Sequence, residues 1–309
     1  MGGQTREIKR RIKSVTSTSK ITKTMELVSA TKMRKAVKAV LETRAYSQAA
    51  WEIITSLADR VDRNSHPLLK QRDKIKKVGL ILIASDRGLC GTFNRDVVET
   101  MAEYVRWHNK EVVDVEAEVF LLGKRGRDIM FKHGHQIIAE FAKVDVTTRI
   151  SEVTPLAQAA LSDYHAGKYD KIVIAYTDYY SAISQKTRIK QLLPLVRDDQ
   201  QLGYVAADEE KRRKVQEHQP LPETAEYLFE PNPDVVLDQM LLRLIELQIY
   251  QALLESNASE HSARMLAMRN ATDNASDYIE DLTLTFNQAR QAAITSEIAE
   301  ISAGRAALE

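Results

Sequence analysis

Two stretches of this chain, residues 4–66 and residues 234–303, contain neither glycine nor proline. Because these two residues punctuate folded chains, runs of that length predict long helices uninterrupted by turns. All seven prolines lie between Pro67 and Pro233, and eight of the eleven glycines between Gly79 and Gly203. The backbone therefore turns mainly in the middle. This divides the 309 residues into a helix over 1–66, an α/β segment over 67–197, a polar linker over 198–233 and a second helix over 234–309.

Hydrophobic spacing shows what the helices need. Ile8, Ile12 and Val15 open a narrow seam that continues through Ser19, Thr22 and Met25, the alternating spacing of a coiled coil. Val28, Val37, Val40 and Leu41 then predict a stripe that drifts round the helix. In the last segment Ala275, Ile279, Leu282, Phe286, Ala289 and Ala293 are spaced 4, 3, 4, 3, 4, with small residues where two helices approach closely. The rods would extend about 85 Å and about 110 Å at the helical rise. Each buries one face only and so needs a partner. Residues 1–44 carry a net charge of +9 and residues 255–309 a net of −5. Charge and period agree in pairing the two rods with each other, in the antiparallel direction that a chain reversal through the middle would give.

The middle reads as strand–helix alternation. Lys77–Ala84 is an apolar run of buried-strand type, followed by a glycine turn and an amphipathic stretch from Asn94 to His108. Strands are predicted at 115–122, 136–144, 171–177 and 186–195, the last antiparallel, with helices at 123–134 and 155–165. Such alternation predicts a mostly parallel sheet covered by helices on its faces. From Arg197 to Pro233 the chain is polar and holds four prolines, the composition of a linker.

Charge and composition exclude several classes. With 44 basic and 43 acidic side chains, the net charge of +1 removes the simplest electrostatic case for nucleic-acid binding. The longest uninterrupted apolar stretch, Val78 to Ala84, has seven residues, against about 20 for a membrane-spanning helix. Residues 1–13 lack the apolar region of a secretory signal, and Cys90, being single, makes no internal disulfide.

The candidate chemistry is sparse. Ser85-Asp-Arg-Gly-Leu-Cys-Gly-Thr-Phe-Asn94 follows the first strand, where α/β folds place ligand loops, but it matches neither nucleotide fingerprint. Gly88 and Gly91 read as the hinge of a strand-to-helix turn. Cys90 reads as a structural thiol, a nucleophile being the lesser alternative because no general base accompanies it. His133-Gly-His135 reads as a turn rather than a metal pair, for want of a third ligand. Residues 1–45 hold no aromatic side chain for base stacking. No catalytic constellation emerges.

Four blocks carry a family resemblance. Ile21-Thr-Lys-Thr-Met-Glu-Leu-Val-Ser-Ala-Thr-Lys-Met33 resembles the N-terminal helix motif of the gamma subunits of F-type ATP synthase, and Ser85-Asp-Arg-Gly-Leu-Cys-Gly91 their hallmark loop. Ala258–Asn274 and Asn287–Ile301 resemble their C-terminal helix, in the family's order. The resemblance implies a long antiparallel coiled coil of N- and C-terminal helices plus a central Rossmann-like α/β domain. It implies a central-stalk rotor that couples a proton-driven membrane c-ring to ATP synthesis or hydrolysis in an alpha/beta ring. The partners implied are the alpha, beta and epsilon subunits and the c-ring. No nucleic acid, no direct nucleotide binding, no metal, no cofactor and no catalytic residue are implied. Membrane association is expected through those partners, peripherally, on the cytoplasmic side of a bacterial-type cell membrane. By motif position, Lys23, Met25, Arg264, Gln291 and Thr295 are the expected contacts with the ring. The chain departs from the family at Thr24, at Arg305 and in the length of the linker near 198–223. On the residues alone two alternatives stand: a static coiled-coil scaffold, and a nucleotide- or nucleic-acid-binding protein with coiled-coil arms.

Overall fold

The computed structural model describes residues 2–58, 66–70, 72, 74–111, 115–132, 136–144, 149–195 and 233–306. The linker residues 198–232 and the His133-Gly-His135 turn lie outside the described residues. The elements, in chain order, are α1 (Gly2–Ala58), β1 (Lys77–Ile83), α2 (Phe93–Glu111), β2 (Glu116–Leu122) and α3 (Lys124–Lys132). They continue with β3 (Gln136–Phe141), a short 3₁₀ turn (Ile150–Glu152), α4 (Thr154–His165), β4 (Lys171–Tyr179), β5 (Gln185–Leu193) and α5 (Pro233–Ala306). Pro233 opens α5 instead of closing the linker. At a first helical position its missing N–H costs nothing and its fixed φ suits the helix.

The chain forms two compact units, residues 1–29 with 265–309 and residues 30–264. In the first, Ile8 is buried and Ile12, Val15, Ser19, Thr22 and Met25 are half-buried along α1, while Ala275, Ile279, Leu282, Phe286, Ala289 and Ala293 are covered to similar degrees along α5. Intervening residues are largely exposed. This is the seam that the spacing predicts. Thr22 and Thr272 meet across it, their Oγ1 atoms 2.8 Å apart. Farther along, in the second unit, Thr43 Oγ1 donates to Gln251 Oε1 at 2.7 Å. In the same unit Ala36 shares a core cluster with Ala258, so α1 advances seven residues from Ala36 to Thr43 while α5 retreats seven from Ala258 to Gln251. The helices are therefore antiparallel there, and the two pairings are one heptad apart. Of the predicted stripe, Val40 is buried and Val37 partly buried, but Val28 and Leu41 are exposed, and Ser29 and Ala36 are buried in their place. Small side chains keep the spacing, so the stripe does not move round the helix.

The second unit holds a five-stranded sheet in the order β3-β2-β1-β4-β5. β1 pairs parallel with both β2 and β4, β2 parallel with β3, and β4 antiparallel with β5. Alternation along the strands divides the core between two faces. Leu80, Leu82, Val119, Leu121 and Val173 pack with Val97, Val98 and Met101 of α2 and Met130 of α3. On the other face Ile81, Ile83, Phe120, Ile172 and Ile174 pack with Leu156, Ala157 and Ala160 of α4 and with Leu241 to Leu254 of α5. Covering both faces suits central strands that read as continuous apolar runs. Most boundaries fall within a residue or two of expectation, and three in the sheet have a physical reason. β4 continues two residues past Thr177, and β5 stops at Leu193, because Pro194 has no N–H to continue the ladder. β3 stops at Phe141 instead of Val144. The Lys143 side chain is turned inward to an ion pair. Among the described residues, no helix is long and apolar enough to cross a membrane.

Candidate functional site

The loop that follows β1 is held from several directions. Asn94, at the start of α2, accepts the Ser85 N–H through Oδ1 at 2.9 Å and donates through Nδ2 to Ser85 Oγ at 2.7 Å and to Cys90 Sγ at 3.3 Å. Ser85 Oγ donates to the Arg87 carbonyl at 2.7 Å, and the Lys124 N–H donates to Asp86 Oδ1 at 2.9 Å. Gly91 has a φ of 59°, as the hinge reading predicts, but the second left-handed residue is Leu89, with φ 64°, and not Gly88. Left-handed backbone at a branched residue is uncommon and persists only when the surroundings over-determine it. Leu89 itself is exposed. Cys90 is buried, and burial pushes its thiol up in pKa, which opposes the nucleophilic alternative.

What completes the hold is Arg264 of α5. Its Nε donates to the Gly88 carbonyl at 3.3 Å and its Nη2 to the Arg87 carbonyl at 3.1 Å. The same Nη2 lies 2.8 Å from Glu260 Oε1, one turn earlier, and Nη1 lies 3.3 Å from His261 Nδ1. The other oxygen of Glu260 meets Lys143 Nζ at 2.6 Å, with the two side chains 2% and 6% exposed. Burial raises the Glu260 carboxyl, but the charges and hydrogen bonds of Lys143 and Arg264 outweigh it and hold the group below the usual carboxylate range. One carboxylate thus serves two cations, and two peptide carbonyls compensate the second.

The expected contact residues do not form one site. Lys23 is exposed and pairs with Glu26 at 3.0 Å, and Met25 is half-buried beside it. Gln291 and Thr295 are both exposed, joined by Thr295 Oγ1 donating to the Gln291 carbonyl at 3.0 Å. Because Thr272 stands opposite Thr22, Lys23 and Met25 share a level with the residues just before Thr272. Gln291 lies 19 residues beyond it, about 28 Å along the axis. These four belong to the first unit, and Arg264 to the second, where it is buried. The sequence motif contained Glu260 and Arg264 at an i, i+4 spacing that favours an ion pair. Nothing local marks Lys143, whose partner is 117 residues away. Among the described residues no group of His, Cys, Asp and Glu is arranged to hold a metal ion.

Comparison with known proteins gives this architecture its context. A family profile described as ATP synthase matches residues 4–308. The chain is 39% identical over 305 residues to the ATP synthase gamma chain of Chloroflexus aurantiacus, covering 98% of each. It is 40% identical over 310 residues to that of Herpetosiphon aurantiacus, again covering 98% of each. Its fold is similar to a chain in the OSCP/F1/c-ring structure of the Euglena gracilis mitochondrial ATP synthase, with a TM-score of 0.65 at 20% identity, over 100% of this chain and 95% of that one. A chain in the central stalk/c-ring structure of the Tetrahymena thermophila mitochondrial enzyme aligns with a TM-score of 0.59 at 20% identity, over 81% and 99%.

These matches define a component of an ATP synthase, and the chain belongs to the ATP synthase family, among its gamma chains. As such it is part of the enzyme complex.

Proposed function

We propose that the chain transmits rotation within the complex and catalyses no reaction itself. The paired helices α1 and α5 serve as the shaft inside a ring of alternating alpha and beta subunits. The α/β body over 67–197 meets the epsilon subunit and the c-ring, and through them the chain is held at the cytoplasmic side of the membrane. Lys23 and Met25 contact the ring at one level of the shaft, Gln291 and Thr295 at another. Arg264 contributes from inside the body, by fixing the loop at 85–91. No nucleotide, nucleic acid, metal or cofactor is bound by this chain directly.

The observation that carries this reading is the antiparallel register of α1 and α5. Each helix is unbroken over its described length, and its face outside the seam is exposed, mostly polar but with Ile21, Leu27, Leu284 and Ile301 among the exposed positions. Two paired helices resist twisting where a single helix joined by a loop would not. The test is reconstitution with alpha and beta subunits. ATP hydrolysis should drive rotation of a bead tethered to the α/β body, while the isolated chain shows no saturable binding of Mg-ATP by calorimetry. Hydrolysis without bead rotation would overturn the rotor role, and micromolar Mg-ATP binding by the chain alone would overturn its non-catalytic part.

A further inference from the structure

Residues 259–264 of α5 are gripped by the α/β body on two flanks. On one, Ser259 Oγ donates to the Thr177 carbonyl at 3.1 Å and Ser262 Oγ to the Ala182 carbonyl at 2.6 Å, both in the region of β4 and the turn after it. On the other, Glu260 meets Lys143 at 2.6 Å and Arg264 meets the carbonyls of Arg87 and Gly88. At 3.6 residues per turn these pairs point about 150° apart round the helix. Grips on opposite flanks oppose rolling of the helix about its own axis, which a single grip does not. The two differ in kind. The hydroxyl bonds are neutral, whereas the second grip is a buried, charge-assisted network in which each Glu260 oxygen is engaged by a different cation. A carboxylate held at both oxygens cannot swing, so Arg264 has a fixed anchor.

We propose that Lys143 is a positioning residue for torque: by holding Glu260, and through it Arg264, it keeps α5 from rolling against the α/β body when the rotor works under load. The buried ammonium has no water to turn to, so the network has one arrangement. Without it Glu260 is free to rotate, Arg264 shares a movable partner, and the loop at 85–91 loses its reference to the helix. This rests on the rotor reading, since a static scaffold would have no load to carry.

The experiment uses the full complex in sealed vesicles, with proton pumping measured per ATP hydrolysed. For Lys143→Met the ratio should fall at least about threefold, within the range by which residues of a coupled network modulate transmission, while unloaded hydrolysis per assembled complex stays near wild type. Lys143→Arg, which keeps the charge, should recover more than half of the ratio. A purely structural role predicts instead that assembly, hydrolysis and pumping fall together with the ratio unchanged, and that result would overturn the proposal. The double variant Lys143→Met/Glu260→Gln removes the uncompensated charge and decides the matter if the single variant fails to assemble. A low ratio in the double variant supports positioning, and a wild-type ratio overturns it. Wild-type complexes that hydrolyse ATP without pumping would instead count against the rotor reading.

Discussion

The hydroxyl oxygens of Thr22 and Thr272 lie 2.8 Å apart across the α1–α5 seam, and each also contacts a carbonyl of its own helix, Ser19 for one and Met268 for the other. A hydroxyl has one proton, so one threonine donates across the seam while the other donates along its helix. Both oxygens are satisfied in a place where apolar side chains would otherwise be expected.

The pair should therefore show coupling. Thr22→Val and Thr272→Val each remove a cross-helix hydrogen bond and should cost about 0.5–1.5 kcal/mol. Because one bond is counted in both, the double variant should cost less than the sum by about 0.5–1 kcal/mol. Urea titration followed by helical circular dichroism measures the cycle. Strict additivity would mean that the hydroxyls do not interact.

Arg264 and Gln291 should separate cleanly on substitution by alanine. By motif position both are expected ring contacts. In the structure Arg264 is 6% exposed and anchors two carbonyls and Glu260. Arg264→Ala should destabilise the chain by about 3 kcal/mol, as removal of one member of a buried ion network does. Gln291→Ala should change stability by less than about 0.5 kcal/mol yet lower ATP hydrolysis by the reconstituted complex. Unfolding of the two variants, compared with their turnover, checks both halves.

Asp170 gives a pH dependence of definite sign. Its Oδ2 accepts the N–H groups of Lys76 and Lys77 at 2.8 and 3.0 Å, and its Oδ1 meets Arg72 at 2.6 Å. Burial works to raise the carboxyl, but these donors prevail and hold it below the ordinary aspartate value. A folded-state pKa below the unfolded one means that the folded protein binds fewer protons. The stabilisation is present above the unfolded value of about 3.9 and is lost as pH falls through the lower folded value. Asp170→Asn should cost about 1–2 kcal/mol at neutral pH, and the gap from wild type should narrow as pH falls below the unfolded value and close below the folded one. A gap that does not narrow in acid would show that the amide fails for geometric reasons.

Gly123 and Gly167 should differ although both have positive φ. At Gly123, with φ 102°, an added Cβ would meet the Ala84 carbonyl oxygen at 2.3 Å, whereas at Gly167, with φ 74°, nothing lies within 4 Å. Gly167→Ala should cost about 1 kcal/mol, for backbone strain alone. Gly123→Ala adds a clash with main chain that cannot move aside, and should cost several-fold more. Thermal unfolding of the two variants ranks them.

Much of this architecture was legible because coiled-coil spacing and strand–helix alternation are local. The seam at Ala275 to Ala293 and the strand from Lys77 follow from neighbours in sequence. The course of α1 beyond Met25 was misread because Ser29 and Ala36 carry no hydrophobic signal, although their small size is what lets helices approach. The Lys143–Glu260–Arg264 network was not legible. Its members come from two distant segments, and an isolated lysine after a strand looks like any solvated charge. Leu89 could not be anticipated either, since only the bonds around it hold that backbone.

The pairing of the first helix with the last also governs how the protein comes into being. Thr272 is made 250 residues after Thr22. At about 5–20 residues per second, α1 waits roughly 12–50 seconds on the ribosome for the surface that will cover it. Through that interval its stripe faces water or whatever else binds it. A wide, greasy face would aggregate or be captured during the wait. The narrow stripe, with Ser19 and Thr22 within it and a strongly basic surround, limits what nascent chains can stick by.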